Sequence, residues 1–308
     1  MMQHATDYAP VIVVHGGAGA NELDKDGCLA AARAGLDALG DGGLAAAVAA
    51  VAALEDDGRF NAGSGAVLCL DGKTVEMDAA VMDSLGALGA VACVRHVKNP
   101  VWLAHAVSRT PHWLLAGEGA DSLARTLGLP PSGPPGERAL RRHAKLLERL
   151  RGKIPELPGI DNGAFERFWN YETPAGAAGS GGANDGACDT VGAVVRDASG
   201  AFAVASSTGG SAPSLLGRVG DTPIIGGGFY AGPAGAVAAT GLGEHIVRHL
   251  LAHTVYRWIE GGVPLAQALE RGVGLFEPRV PIGLIAVGKT ESGWRSNRDM
   301  PVAELRHD

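Results

Sequence analysis

Hydrophobic and polar positions divide the first third of the chain into short strand-like runs and alanine-rich helical runs. Residues 11–14 form a continuous β-branched run that ends at a glycine-rich turn, which predicts a buried strand. Residues 27–39 and 43–55 are rich in alanine and are separated by Gly42-Gly43, which predicts two helices packed closely against a sheet. Further strands are predicted at residues 66–70, 74–82 and 87–94.

The middle of the chain is predicted to be helical and then to lose all regular pattern. Helices are predicted at residues 101–108, 111–127 and 137–151, and the last has leucines on one side and basic residues elsewhere, as on a surface helix. From about residue 155 to residue 189 the sequence becomes a Gly/Ala/Asn-rich linker with little apolar surface to bury.

Regular patterning returns abruptly at Thr190. Strands are predicted at residues 190–196, 201–206, 223–225, 235–239 and 282–287, and helices at residues 243–260 and 264–276. Hairpin signals outnumber βαβ units along the whole chain, so the pattern favours an α+β fold of stacked, mainly antiparallel sheets with helices outside. We expect residues 1–308 to form one structural domain.

Composition excludes several classes of function. The net charge is −7 and no run of Lys or Arg exceeds two residues, so no nucleic-acid-binding surface is predicted. The longest apolar stretch, residues 44–54, is too short to span a membrane, and the first residues lack the pattern of a signal peptide. The four cysteines show no C-x-x-C spacing, which favours a reduced, cytoplasmic setting.

Thr190 is the strongest candidate for chemistry. Threonine at the start of a strand is common and by itself indicates nothing. However, if the bond between Asp189 and Thr190 were cut, Thr190 would gain an α-amine with a reference pKa of about 7.7–8.0. That amine could act as the base for the Thr190 hydroxyl, the arrangement of an N-terminal threonine nucleophile.

Six motifs surround this threonine in a fixed order. They are His15-Gly16-Gly17-Ala18-Gly19, Phe60-Asn61-Ala62-Gly63-Ser64-Gly65, Asp189-Thr190-Val191-Gly192-Ala193-Val194, Ser207-Thr208-Gly209-Gly210, Gly217-Arg218-Val219-Gly220-Asp221-Thr222-Pro223 and Ala239-Thr240-Gly241-Leu242-Gly243-Glu244. The set resembles the plant-type asparaginase and isoaspartyl peptidase family of N-terminal-nucleophile hydrolases, from about residue 11 to residue 300.

The resemblance implies a four-layer αββα sandwich that cuts itself into an α subunit, residues 1–189, and a β subunit, residues 190–308. It implies hydrolysis of the β-amide of L-asparagine and of β-aspartyl (isoaspartyl) peptides, with release of L-aspartate. It also implies a dimer of αβ heterodimers and no organic cofactor. A structural sodium ion is expected on backbone carbonyls of Leu54, Glu55, Asp57 and Phe60, which suit a hard cation.

Roles for the site residues follow from the same resemblance. Thr190 would attack first the carbonyl of Asp189 and then the substrate, and Thr208 would orient its hydroxyl. A threonine in that motif can also cap a turn. Arg218 and Asp221 would bind the α-carboxylate and the α-amine of the substrate, although such pairs are usually surface salt bridges.

Thr240 and Gly241 would form the oxyanion hole, and Gly243 would contact the substrate. The alternative for this motif is an ordinary helix N-cap. Asn61 would stabilise the oxyanion of self-cleavage, but it could also be a turn asparagine. His15 is expected to be structural. Two positions depart from the family pattern, namely Cys188 before the cleavage site and residues 279–284, which are less glycine-rich than expected.

Three alternatives remain open from the sequence. The chain could be a glycosylasparaginase-like enzyme, which would act on asparagine-linked glycans, or a taspase-like threonine protease of the same fold. It could also be an uncleaved, non-catalytic protein that binds aspartate-like ligands through Arg218 and Asp221.

Overall fold

The strands and helices come from a computed structural model that describes residues 8–150, 168, 170 and 190–307. The strands of this part are β1 (Val11–His15), β2 (Met77–Asp83), β3 (Leu88–Val94), β4 (Leu114–Ala116), β5 (Val191–Arg196), β6 (Phe202–Thr208), β7 (Phe229–Gly232), β8 (Gly235–Gly241), β9 (Ile282–Gly288), β10 (Ser292–Ser296) and β11 (Val302–Arg306). The helices are α1 (Lys25–Asp37), α2 (Gly43–Asp57), α3 (Pro100–Val107), α4 (Gly117–Thr126), α5 (Glu137–Leu150), α6 (Gly243–His249), α7 (Leu251–Glu260) and α8 (Leu265–Val273).

The strands form two sheets, and nearly all neighbours are antiparallel. The seven-stranded sheet has the order β11-β1-β5-β6-β2-β3-β4, and the four-stranded sheet has the order β10-β9-β8-β7. The pairing of β3 with β4 is parallel, whereas the other ladders are antiparallel. The fold is therefore mixed α/β with mainly antiparallel sheets, as the hairpin signals predict.

Three hydrophobic clusters occupy the spaces beside the sheets. One lies between α1–α3 and the seven-stranded sheet, a second contains residues of both sheets, and a third lies between the four-stranded sheet and α7 and α8. Along β5, Val191 and Val195 belong to the first cluster and Val194 to the second. Because side chains alternate along a strand, Thr190 shares the face of Val194, toward the four-stranded sheet.

Small residues bring α1 and α2 close to the sheet, as the alanine-rich pattern predicts. A Cβ atom on Gly35 would lie 2.4 Å from Cδ1 of Ile12 and 2.9 Å from the carbonyl oxygen of Ala46. Only a glycine at this position lets α1 touch both β1 and α2 without displacing them.

Several predicted elements are wrong in position. Residues 66–70 are buried but do not form a strand, and β2 begins at Met77 rather than at residue 74. The predicted helix at residues 111–127 begins instead with β4, which adds a parallel strand to β3. At residues 223–225 there is only an isolated bridge from Ile225 to Phe229, and β7 itself was not predicted.

The single helix predicted over residues 243–260 is in fact two helices. Leu250 separates α6 from α7 with a left-handed backbone, at φ 43° and ψ 52°. Leucine carries no signal for this conformation, which L-residues other than Gly, Asn and Asp rarely adopt. The break therefore could not be recognised from the residue type.

Helix α5 is docked rather than free on the surface. The guanidinium of Arg138 lies 2.9 Å from a carboxylate oxygen of Asp24, and Arg142 donates to the carbonyl oxygen of Arg59 at 3.0 Å. Leu146 packs against Leu70. This contact explains why Leu70 is apolar although it lies outside a strand. The predicted linker, with Cys188 and Asp189, lies outside the described residues except at positions 168 and 170.

Candidate active site

A small cavity opens where β5 begins, on the face that is directed toward the four-stranded sheet. It contains the predicted nucleophile together with both predicted substrate-binding side chains. The cavity is lined by Thr190, Thr208, Gly210, Ser211, Arg218, Gly220, Asp221, Thr222 and Gly241.

Thr190 is held in this cavity by two other threonines. Its side chain is almost fully buried, and its backbone nitrogen donates to Oγ1 of Thr240 at 3.2 Å. Its own Oγ1 lies 3.4 Å from Oγ1 of Thr222. The nitrogen that would become the catalytic amine is therefore already fixed beside a hydroxyl group.

Thr240 connects Thr190 to the first glycine-rich turn. It lies at the end of β8, and its Oγ1 also accepts a hydrogen bond from the backbone nitrogen of Ala18 at 3.3 Å. The neighbouring Gly241 has φ +138°, and a Cβ there would lie 2.1 Å from the carbonyl oxygen of Pro281. Glycine at this position thus permits the close approach of β8 and β9 at the cavity wall.

Thr208 and Asn61 meet at the loop that follows β6. Oγ1 of Thr208 accepts from the backbone nitrogen of Gly210 at 3.1 Å. Asn61 is buried, and its Nδ2 donates to the carbonyl oxygen of Gly210 at 2.7 Å while its Oδ1 accepts from the nitrogen of Val67 at 3.0 Å. Thr208 therefore lines the cavity, and Asn61 holds Gly210 of its wall. Their predicted roles toward Thr190 and the oxyanion stay predictions.

Thr222 is a site residue that the sequence reasoning did not select. It directly follows Asp221 in the Gly217–Pro223 motif, and its side chain is buried in the cavity wall. The sequence offers one signal for Thr222, because it is a hydroxyl residue in the same motif as the charged residues Arg218 and Asp221. Its distance to Thr190 could not be read from the sequence, because 32 positions separate the two residues.

Asp221 has a buried carboxylate that is not fully hydrogen-bonded by the described residues. Its side chain is 3% exposed, and its Oδ2 has no hydrogen-bond partner among the described residues. Burial raises the pKa of this carboxyl to about 7, against the attraction of Arg218, which lowers it. Because Asp221 also lines the cavity, its buried carboxylate suits a cationic ligand group such as an ammonium.

Arg218 is the second predicted substrate-binding side chain that lines the cavity. Its Nε and Nη2 each donate to a carboxylate oxygen of Glu244 at 2.9 Å. Gly243 lies between these groups, because a Cβ there would be 2.8 Å from Oδ1 of Asp221 and 3.0 Å from Nη2 of Arg218. Gly243 therefore allows the start of α6 to approach both charged side chains.

His15 is enclosed at the end of β1. It is fully buried, and burial lowers its pKa to about 3, so the ring is neutral at ordinary pH. A Cβ on Gly192 would lie 2.6 Å from its Nε2, which shows that the ring packs against the β5 backbone. This placement agrees with the structural role expected from the sequence.

Two glycines in the turn after α2 lie against two of the carbonyl groups predicted to bind sodium. A Cβ on Gly63, which has φ +51°, would lie 2.7 Å from the carbonyl oxygen of Glu55. A Cβ on Gly65 would lie 2.1 Å from the carbonyl oxygen of Phe60. Backbone carbonyl oxygens are the type of ligand that a hard cation such as sodium prefers. The sodium site itself stays a prediction.

The chain belongs to the asparaginase family. The sequence profile of that family matches residues 8–304, which covers almost the whole chain. The motif order given above, the position of Thr190 at the start of β5 and the charged pair in its cavity are thus found together in a chain that matches the family.

Similar proteins carry names that agree with this family. The chain is 39% identical to an isoaspartyl peptidase/L-asparaginase of Macaca fascicularis, over 91% of this chain and 87% of the relative. It is 38% identical to the mouse protein of that name, over 98% of this chain and 89% of the relative. An isoaspartyl peptidase of Salmonella typhimurium is 41% identical over 70% of this chain and 64% of the relative.

Proposed function

We propose that this chain hydrolyses the β-amide of L-asparagine and of β-aspartyl (isoaspartyl) peptides and releases L-aspartate. The observation that carries the proposal is the joint placement of Thr190, Arg218 and Asp221 around one cavity. A guanidinium and a carboxylate are complementary to the α-carboxylate and α-ammonium of a free aspartyl group. A substrate bound by both presents its side-chain carbonyl to the Thr190 hydroxyl.

Maturation by cleavage between Asp189 and Thr190 gives the nucleophile its base. The free amine takes the hydroxyl proton of Thr190 as Oγ1 attacks the β-carbonyl carbon of the substrate. Thr240 and Gly241 stabilise the resulting oxyanion. The carbon–nitrogen bond then breaks, the amine returns its proton to the leaving nitrogen, and water hydrolyses the aspartyl ester to free the enzyme.

The proposal includes a four-layer αββα sandwich divided into residues 1–189 and 190–308. The three hydrophobic clusters support it, because they fill one helix–sheet space, one sheet–sheet space and a second sheet–helix space. A sodium ion on the backbone carbonyls of Leu54, Glu55, Asp57 and Phe60 would fix the turn that carries Asn61. It would supply no chemistry to the substrate.

Two further properties belong to the proposal. One is a dimer of αβ heterodimers, and the other is a cytoplasmic location. The free thiols of Cys28, Cys69 and Cys93 are compatible with a reducing environment. Within the described residues, each helix is too short or too polar to cross a bilayer.

Intact-mass analysis of fresh and aged protein tests the proposal most directly. The wild type should give two fragments, the smaller beginning at Thr190, whereas Thr190→Ala should remain at the full 31.3 kDa and be inactive. Thr190→Ser, which keeps the hydroxyl, is the matched control and should be cleaved. Turnover by an uncut Thr190→Ala protein would refute the mechanism.

A substrate panel separates the alternatives. L-asparagine, β-aspartyl-leucine and a glycosylated asparagine should be offered to the mature protein. Hydrolysis of the first two supports the proposal, and activity on the glycan alone would assign a glycosylasparaginase. A single uncleaved band that binds L-aspartate without turnover would assign a non-catalytic binding protein.

A further inference from the structure

The guanidinium of Arg218 is hydrogen-bonded by Glu244, a residue outside the cavity lining that the proposed mechanism does not use. Arg218 lines the cavity, whereas Glu244 is not among the lining residues. The two 2.9 Å hydrogen bonds join Nε and Nη2 of Arg218 to Oε1 and Oε2 of Glu244. This fork-to-fork geometry fixes both the position and the plane of the guanidinium.

Nη1 of Arg218, the nitrogen outside the two Glu244 hydrogen bonds, lies near two glycines of the cavity lining. It is 3.0 Å from the position of a Cβ on Gly220 and 4.0 Å from that of a Cβ on Gly210, and both glycines line the cavity. The edge of the guanidinium that carries Nη1 is therefore the edge from which we expect Arg218 to contact a substrate carboxylate.

The backbone that carries Arg218 and Asp221 is held by two further carboxylates. The nitrogen of Gly217 donates to Oε2 of Glu76 at 2.7 Å, and the nitrogen of Gly220 donates to Oδ2 of Asp78 at 3.4 Å. The first bond is short and the second is long. Together they attach the segment from residue 217 to residue 221 to the beginning of β2.

Asp78 is placed for this role by an irregularity in the sheet. It pairs with Thr208 of β6, and the register between β2 and β3 shifts between Met77 and Ala79. At that shift Cys93 has φ +52°, and its nitrogen donates to Oδ1 of Asp78 at 2.9 Å. One oxygen of Asp78 is thus fixed by β3, which leaves the other directed at Gly220.

We propose that Glu244 and Asp78 are positioning residues that hold Arg218 and Asp221 in the geometry needed to recognise an L-configured α-amino acid group. Glu244 acts on the guanidinium, and Asp78 acts on the backbone of the segment. This inference rests on the proposed function. It adds the two groups that make the recognition site selective, since a loosely held guanidinium could bind any carboxylate.

The Glu244→Gln variant tests the proposed positioning role of Glu244. Glutamine can accept from only one of the two arginine nitrogens and presents an amide NH₂ to the other, so the bidentate contact with Arg218 is lost. We expect KM for L-asparagine to rise about tenfold or more, with a much smaller change in kcat, and the preference for L- over D-asparagine to fall. An unchanged KM, or a lower KM that would indicate competition with substrate, overturns this role.

The matched control for that variant is Glu304→Gln. Glu304 binds Nε and Nη2 of Arg306 at 3.0 and 2.8 Å on β11, away from the cavity. It should leave KM and the L/D preference unchanged. Maturation gives a second readout, because cleavage before Thr190 does not involve recognition of a free amino acid. Normal maturation of Glu244→Gln with a raised KM separates positioning from general damage to the fold.

The Asp78→Asn variant tests the proposed positioning role of Asp78. This test remains valid if Glu244→Gln fails to fold. Each oxygen of Asp78 accepts from a different backbone nitrogen, and asparagine can satisfy only one of them. We expect a severalfold rise in KM and a reduced L/D preference. Asp83→Asn is the control, because Asp83 also accepts two backbone hydrogen bonds on β2 but holds a hairpin. Equal kinetics for both variants would contradict the assignment.

Failure of this inference can be told apart from failure of the proposed function. If wild-type protein turns over no L-asparagine, the proposed function fails, and calorimetric binding of L-aspartate to wild type and Glu244→Gln still measures the positioning effect. If wild type is active and both variants keep its KM and its L/D preference, only the inference fails.

Discussion

The hydroxyl oxygens of Thr190 and Thr222 lie 3.4 Å apart in the wall of the cavity. Thr222 is the direct neighbour of Asp221, the residue proposed to bind the substrate's ammonium group. The proposed nucleophile therefore contacts a residue that is next in sequence to the proposed ammonium-binding residue. A shift of these two neighbours would move the substrate and the hydroxyl that contacts Thr190 together.

Replacing Thr222 with valine tests this link. Valine keeps the shape of the buried side chain but cannot hydrogen-bond to Thr190, so the nucleophile gains rotational freedom. We expect kcat for L-asparagine to fall about 2- to 10-fold, the range of one neutral hydrogen bond, with little change in KM. Steady-state kinetics would measure this, with Thr126→Val as control because Thr126 is exposed on α4. A fall in KM alone would count against the link.

Thr240→Val should have a larger effect than Thr222→Val. The hydroxyl of Thr240 accepts from both Thr190 and Ala18, and both donors are buried. Valine would leave these donors unsatisfied and remove a proposed oxyanion donor. We expect a loss of about 10²–10³ in kcat and slower cleavage before Thr190. Single-turnover assays and timed intact-mass spectra would measure the two rates, and near-normal values for both would exclude this role.

Binding of the substrate's ammonium group should depend on pH through Asp221. Burial raises its pKa to about 7, Arg218 opposes the shift, and Glu244 and Asp78 add to it. The ammonium requires the ionised carboxylate, so binding is strong above the pKa and is lost as the pH falls through it. We expect the dissociation constant of L-aspartate to rise about tenfold from about pH 8 to about pH 6.

Titration calorimetry with the product avoids the separate pH dependence of catalysis by the terminal amine. Asp221→Asn should bind L-aspartate weakly at every pH in this range, since the charge that titrates has been removed. A wild-type dissociation constant that stays level across the range would show that Asp221 does not bind the ammonium group.

Gly241→Ala should destabilise the protein. Gly241 has φ +138°, and the added Cβ would lie 2.1 Å from the carbonyl oxygen of Pro281, so β8 and β9 would have to separate. We expect the free energy of unfolding in urea to fall by more than about 2 kcal/mol. Gly40→Ala is the control, because a Cβ there meets nothing within 4 Å, and it should change stability little.

Local sequence signals indicate candidate site residues, but they do not indicate the long-range contacts between them. Thr190, Arg218 and Asp221 were selected because each lies in a short motif whose residue types have a chemical use. The contacts of Thr222 with Thr190 and of Thr240 with Ala18 span 32 and 222 positions. Such contacts arise from sheet register and from packing between the sheets, which no short motif encodes.

The same distinction explains the errors in the fold. Strands β1, β5 and β9 have strong β-branched patterns and were found within one or two residues. The apolar residues 66–70 predict a strand, yet they form a buried loop in which Leu70 packs against Leu146 of α5. A buried loop and a buried strand expose the same residue types, so only the tertiary contact distinguishes them.

The sheet order has a consequence for the proposed subunits. Strand β1 lies between β11 and β5, and β2 lies beside β6, so strands from before and after Thr190 interleave within one sheet. Two polypeptides joined in this way would purify as one particle without any covalent link. If the two polypeptides were expressed separately, each would expose unpaired strand edges that promote aggregation. Folding as one precursor pairs these edges before the chain is cut.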